Sequence, residues 1–309
     1  MEPQKGSKKA LKFVLLFLLA AGFAFSLFPY GASASWHQVF RFFGLTDFSA
    51  AADNAPFSMH VLNVGKADSI LIECGDRFML VDGGTADRGE AVTEYLQRRG
   101  VKKLDCLVST HPDSDHIGGL REVVDSIPVE RYLAPEIPQN LIPKDEAYLA
   151  VQSALIQKHI AAAHPKAGQS FSIGTAKVNV LGPVRAGNST NNNSIVLKVT
   201  FGSTAFLLTG DAEKEEEEDI LSSGADLRSD VLKVGHHGSS KSTSTEFLNA
   251  VRPRFAAVSV ADDTSHLPKD DTVKRLKTAG IKICRTDISG TLIFLSDGKK
   301  ISLVTERKK

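Results

Sequence analysis

The chain has 309 residues, 42% of them hydrophobic, and a formal net charge of +1. That much apolar residue can bury a large core, and the near-neutral balance excludes a protein that holds nucleic acid by bulk positive charge. Three widely spaced cysteines, Cys74, Cys106 and Cys284, lack the pairs that a disulfide framework or a thiolate zinc site needs, and their apolar neighbours mark them as buried core thiols.

The N-terminus has a composition of its own. Lys5, Lys8, Lys9 and Lys12 precede the apolar run FVLLFLLAAGFAFSLF (13–28), and Ala32-Ser33-Ala34 follows as an A-x-A site. This is the layout of a secretion signal. The run falls between a signal core of roughly 7–15 residues and a membrane span of roughly 18 or more, so residues 1–34 read as a signal peptide or an uncleaved signal anchor. Either form places the rest of the chain outside the cytoplasm, secreted or held at the membrane. Removing residues 1–34 takes away four lysines and Glu2 and leaves a net charge of −2. Residues 35–57 have no sustained period and read as a linker.

Strand patterns then crowd together at 58–64, 69–74 and 77–82, an antiparallel start that suggests a sheet edge. A helix is expected over 90–99, a strand over 104–109, a helix from about Ile117 and a long alanine-rich helix over 145–163. The second half repeats the plan, with strands at 176–182, 194–201 and 204–210, a helix from about Glu213, strands at 230–235 and 254–260, a helix over 269–280 and three closing strands. The acidic run EKEEEE (213–218) reads as a solvated helix start, its acids near the positive end of the dipole. Two β-rich halves mixed with helices suggest two packed sheets with helices outside.

Chemistry concentrates where three apolar strands end. After the strand at 104–109 comes STHPDSDHIGGL. Alternate residues of an extended stretch point the same way, so His111 and Asp113 suit one ion while the chain turns Asp115 and His116 toward a second. Helix capping explains one aspartate there but not two histidines in register. The glycines Gly118 and Gly119 let backbone pass close by. FLLTGD places Asp211 after another strand, suited to bridge two cations, and LKVGHHGS places His236 and His237 after a third.

The ordered strings VDGG, THPDSDHIGG, LLTGD and VGHHGS resemble the metallo-β-lactamase superfamily, and within it the extracytoplasmic nuclease-like domain of the ComEC competence family, from about Met59 to Val304. The resemblance implies an α/β (α+β) fold, a four-layer αββα sandwich over 58–309, with one or two metal ions at the sheet edges. It carries His111, Asp113, Asp115, His116, Asp211 and one of His236 or His237 over as metal-site residues, with Asp82 of VDGG shaping the site from beneath. The chain departs from the pattern in having Asp113 where many members have histidine, and NNNSIVL where a further histidine ligand is common. Asn192 or Asn193 then faces the site as a hydrogen-bonding group, and an oxygen-rich set leaves zinc and manganese both eligible. LNVGKADSILI stands where related domains read closer to LDVGQGDSILI, so Asn63, Lys66 and Ala67 are departures while Asp68 and Ser69 match. His266, in a loop where the family often has a His-Pro pair, is a candidate general acid beside Asp113 and Asp115. Ser239, Ser240, Ser242 and Ser244 around Lys241 suit a phosphate.

These readings converge on an exported metal-dependent phosphodiesterase, with DNA or another nucleic acid as substrate and competence-machinery proteins as partners. A cell-surface phosphodiester such as a teichoic or phosphocholine polymer is the alternative substrate, which the net charge favours. A non-catalytic binding domain of a DNA-uptake complex is the third reading, and it would be marked by loss of a ligand that is here present.

Overall fold

A computed structural model describes residues 48–307, so the signal segment and most of the linker lie outside the described residues. Among the described residues no helix is long and apolar enough to cross a membrane. The first half contributes β1 (Phe57–Val61), β2 (Ile70–Cys74), β3 (Arg77–Val81), β4 (Cys106–Val108), β5 (Tyr132–Leu133) and β6 (Ala162–Ala163). The second contributes β7 (Ser170–Ile173), β8 (Ala176–Gly182), β9 (Val196–Phe201), β10 (Thr204–Leu208), β11 (Val231–Lys233), β12 (Phe255–Val258) and β13 (Lys282–Arg285). β14 (Leu292–Ser296) and β15 (Ile301–Thr305) close the chain. They form an eight-stranded sheet in the order β15-β14-β1-β2-β3-β4-β5-β6 and a seven-stranded sheet in the order β13-β12-β11-β10-β9-β8-β7. With helices outside both sheets, this is the four-layer αββα sandwich.

Strand alternation decides what each face meets. Phe57, Met59 and Val61 of β1 point between the sheets with Ile70, Ile72, Met79 and Val81, against Val178, Val180, Leu197, Val199, Phe206 and Leu208 of the second sheet. The Phe57 ring stacks on Phe201 at 5.3 Å between centroids. The other face of β1 is polar yet buried, because the helix Gly89–Arg98 covers it: His60 Nδ1 lies 2.7 Å from the Tyr95 hydroxyl, and Arg99 makes two 2.9 Å bonds to Glu73. Beyond the second sheet, Leu207, Leu232 and Val234 pack with Ile220, Phe247, Leu248, Val251 and Leu276. Cys74, Cys106 and Cys284 are buried thiols, as their apolar neighbours implied.

Several expectations need correction. β1 is not at an edge, since the C-terminal β14 returns to pair with it antiparallel, Phe57 opposite Ser296. The alanine-rich helix stops at Gln157, and Ala162–Ala163 is a strand parallel to β5. The helix expected from Ile117 is two short ones, Ser114–Ile117 and Leu120–Ser126, broken at Gly118-Gly119. There the backbone lies so close to the VDGG loop that a Cβ on Gly119 would sit 2.2 Å from the Gly83 carbonyl oxygen. The helix Thr245–Val251 and strands β5, β6 and β7 have no counterpart in the sequence reading.

The acidic run is only partly solvated. Glu216 and Glu217 are buried at the start of the helix Lys214–Ser222. Glu217 accepts from the backbone N–H groups of Thr243 and Ser244. Glu216 accepts from Val184 N–H at 3.1 Å, and burial pushes its carboxyl up to about 8. The unfolded chain ionises first as pH rises, so the stability associated with the protonated form is complete below about 4.5 and lost through about 8. Glu216→Gln is therefore expected to gain in Tm relative to the parent between pH 5 and pH 9, measured by thermal melts across that range; a pH-independent difference would contradict this.

Candidate metal centre

Parallel pairing gathers the site. β3 and β4 run parallel in one sheet, and β10, β11 and β12 run parallel in the other, so within each sheet the carboxyl ends open on one side. Asp82 follows β3, Ser109 to His111 follow β4, Asp211 follows β10, His236 and His237 follow β11, and Ser259 follows β12. The two sheets are joined there by Ile195 N–H donating to the Thr110 carbonyl at 2.8 Å. Gly210, at φ 50°, lies where a Cβ would meet the Thr110 Cβ at 2.9 Å, which is why this turn takes glycine. Asp82 (φ 60°), His236 (φ 47°) and His237 (φ 51°) also occupy left-handed backbone, so strain is concentrated around the site.

Donor accounting fixes the imidazoles. Asp82 Oδ1 accepts Thr110 N–H at 2.7 Å, and its Oδ2 accepts the Thr110 hydroxyl at 2.7 Å. The same oxygen accepts His116 Nδ1–H at 2.8 Å. With its proton given to Asp82, the Thr110 oxygen accepts from His111 Nδ1–H at 3.1 Å. His237 Nδ1–H donates to the Ser259 carbonyl at 2.8 Å. In its neutral form each ring therefore carries its hydrogen on Nδ1 and turns a bare Nε2 lone pair the other way.

The three Nε2 atoms and Asp211 Oδ1 are buried without a hydrogen-bond partner. His116 Nε2 lies 3.2 Å from Asp211 Oδ1, His237 Nε2 lies 3.8 Å from Asp211 Oδ2 and 3.6 Å from Asp115 Oδ2. Ligand atoms of His111, His116 and Asp211 lie within 4.8 Å of one another, as do those of Asp115, His116 and His237. A space lined only by lone pairs is what a cation completes, and the donor set fits one or two divalent ions. Without an ion the field acts on protons: burial opposes charge on His116, but Asp211 and Asp82 outweigh it and raise the ring well above its usual range. Burial likewise opposes ionisation of Asp211, yet His116 and His237 hold it well below the carboxylate range.

The other expected residues divide. Asp115 faces the site, its ionisation opposed by burial and secured by His237, His116 and Lys66. Asp113 is more exposed, 3.7 Å from His111 Nε2, and outside every such group among the described residues. His236 is a quarter exposed, with Nδ1 3.3 Å from Glu213 Oε1 and Nε2 3.7 Å from Asp211 Oδ2, whereas His237 is fully buried. His266 sits on an exposed loop, its backbone N–H directed to Asp263. Asn192 and Asn193 do not face the site: Asn192 Oδ1 accepts Glu213 N–H at 3.1 Å, and Asn193 bonds Gly187 and Ser189, so both shape the 187–193 loop. In the serine loop Ser244 caps Thr245–Val251 and Ser239 accepts from Lys241 N–H, while the buried Ser242 hydroxyl has no hydrogen-bond partner.

The sequence reading missed four contributors: Thr110, Ser194, whose hydroxyl accepts Asp211 N–H at 3.2 Å, Thr190 beside Asp113, and Lys233. Lys233 is fully buried, with Nζ 2.9 Å from Asp68 Oδ2 and donating to the Val234 carbonyl. A lysine inside the apolar strand DVLKVG was the available signal.

A family model described as the metallo-beta-lactamase superfamily matches residues 62–261. The chain belongs to the metallo-β-lactamase superfamily. It is 32% identical over 256 residues to ComE operon protein 3 of Bacillus subtilis (strain 168), covering 76% of this chain and 32% of that protein. It is 34% identical over 239 residues to Competence protein ComA of Neisseria gonorrhoeae, covering 76% and 31%. The chain thus spans about a third of the length of these curated relatives. Among solved structures it is similar in fold to CmlA, a diiron beta-hydroxylase from Streptomyces venezuelae, at 14% identity and TM-score 0.52 over 78% of this chain and 54% of that one. The metallo-beta-lactamase fold protein YhfI from Bacillus subtilis gives 15% identity and TM-score 0.50 over 76% and 99%. The chain therefore has the fold of metal-dependent hydrolases and is related to competence proteins.

The Asp68–Lys233 pair ties this superfamily site to both sheets, Asp68 N–H also donating to the Asp115 carbonyl at 3.1 Å. Breaking a buried pair strands a charge at a cost of about 3–5 kcal/mol, whereas an apolar pair of similar volume is near neutral. Lys233→Met is expected to lose about that much in urea unfolding, and Lys233→Met with Asp68→Leu to recover most of it. A single-variant cost under about 1 kcal/mol would contradict this role.

Proposed function

We propose that this chain is an exported metal-dependent phosphodiesterase that cleaves DNA or another nucleic acid, in competence-type uptake or in extracellular degradation. The observation that carries the reading is the lone-pair chamber of His111, His116 and His237 Nε2 with Asp211, next to Asp115. We take His111, Asp113, Asp115, His116, Asp211 and His237 as the ligand set, with His236 outside it and zinc or manganese as the ion. Bound ions would supply Lewis-acid charge for a phosphate oxygen and lower the pKa of a water.

The chain's own residues supply the rest. Asp82 holds His116, and through Thr110 also His111, in the tautomer that leaves Nε2 bare. The Ser259 carbonyl does the same for His237. Three carboxylates, Asp113, Asp115 and Asp211, join the three imidazoles, a donor set that suits an ion binding hard phosphate oxygens. His266, on its exposed loop, is our candidate proton donor to a leaving group, and the relationship to competence proteins supports nucleic acid as substrate and uptake machinery as partners. Lys5 to Lys12 and the apolar run after them support export or anchoring.

The test is a manganese-versus-zinc panel on DNA, RNA, teichoic acid, a phosphodiester reporter and nitrocefin. DNA and reporter cleavage are expected, lost with a chelator and reduced on the order of a hundredfold or more in Asp113→Ala and Asp115→Ala. Turnover of nitrocefin without phosphodiester cleavage would overturn the reading, and cleavage of teichoic acid alone would replace nucleic acid with a cell-surface polymer.

A further inference from the structure

The loop between β1 and β2 brings a cation to the metal centre. Lys66 Nζ lies 2.7 Å from Asp115 Oδ2, its side chain 35% exposed. Its place on the loop is fixed two residues on, where Asp68 N–H donates to the Asp115 carbonyl, the Asp68 carbonyl accepts Gly84 N–H at 2.7 Å, and the Asp68 carboxylate meets Lys233. The ammonium is therefore held against this one carboxylate by a built loop.

Asp115 has two claims on it. Its Oδ2 faces His237 Nε2 at 3.6 Å, inside the group formed with His116, and the same oxygen takes the Lys66 ammonium. One oxygen cannot be given fully to a divalent ion and to an ammonium, and the two cations repel one another across a distance at which charges interact strongly. The Lys66 stem is long and partly in solvent, so it can swing away when an ion takes Asp115.

We propose that Lys66 is a tethered counter-ion that competes with the ion requiring Asp115, so that this half of the centre loads more weakly than its ligands alone would allow and the other half, with His111 and Asp211, is spared. This rests on the metal reading of the site. Its function is to keep Asp115 neutralised while that position waits for its ion, making occupancy of the second position responsive to metal concentration.

The test is calorimetric titration of the full folded chain with manganese alone and zinc alone, joined to elemental analysis after equilibrium dialysis. Lys66→Gln is expected to tighten one of the two ions on the order of tenfold and leave the other unchanged, while Lys66→Arg behaves as the parent. Adding Asp115→Asn to Lys66→Gln is expected to abolish the gain. Melting curves establish that each variant is folded. Equal affinities for both ions in the parent and in Lys66→Gln would overturn the competition and leave the metal centre standing. Absence of any bound ion in all four proteins would overturn the metal reading and this inference with it.

Discussion

The Asp82 carboxylate is the constraint on which the site depends. From a left-handed backbone position after β3, it takes three hydrogen bonds from the neighbouring strand end, two from Thr110 and one from His116. Those bonds leave the Thr110 oxygen only as an acceptor, which sets the His111 ring as well. One buried anion thus turns two imidazoles so that their lone pairs meet Asp211 across the gap between sheets. This second layer of hydrogen bonding gives the ligands their direction before any ion arrives.

The fold makes that meeting possible by where it runs parallel. Antiparallel and parallel pairings are nearly balanced, but the ligand-bearing residues follow strands of the parallel stretches, β3-β4 in one sheet and β10-β11-β12 in the other. The Asp68–Lys233 pair then crosses from the β1–β2 loop to β11 in the layer that is otherwise Phe57, Met59, Val231 and Phe206. A salt bridge in such a layer adds little net stability, but it demands one register between the sheets, because any other leaves two buried charges apart. The same loop carries Lys66 to Asp115, so structural pair and site cation share one anchor.

Much of this was legible in the sequence because it is local. Strands such as 106–108 and 204–208 announce themselves by apolar runs, and His111, Asp115 and His116 stand in the turn after the first while Asp211 stands after the second. What was not legible depends on distant partners. The return of β14 to β1 joins residues more than two hundred positions apart, and no local pattern encodes it. Asn193 reads as a site residue by its place before β9, yet its amide is consumed by the loop at Gly187 and Ser189. Glu216 looks solvated in a run of acids because helical periodicity, which turns it inward, cannot be seen until the sheet beneath is placed. Lys233 did carry a visible anomaly, a charge within a buried strand, a mark it shares with Lys198 in β9 and Glu73 in β2.

The central claim is that the bare Nε2 atoms and Asp211 enclose a cation. Anomalous scattering from crystals of the protein grown with manganese or zinc tests it most directly. The account predicts a peak about 2.0–2.3 Å from His116 Nε2 or its neighbours His111 and His237, within ligand distance of Asp211, and with Nδ1 of each ring still directed to Asp82, Thr110 or Ser259. An empty chamber with metal bound elsewhere, or rings turned so that Nδ1 faces Asp211, would contradict it.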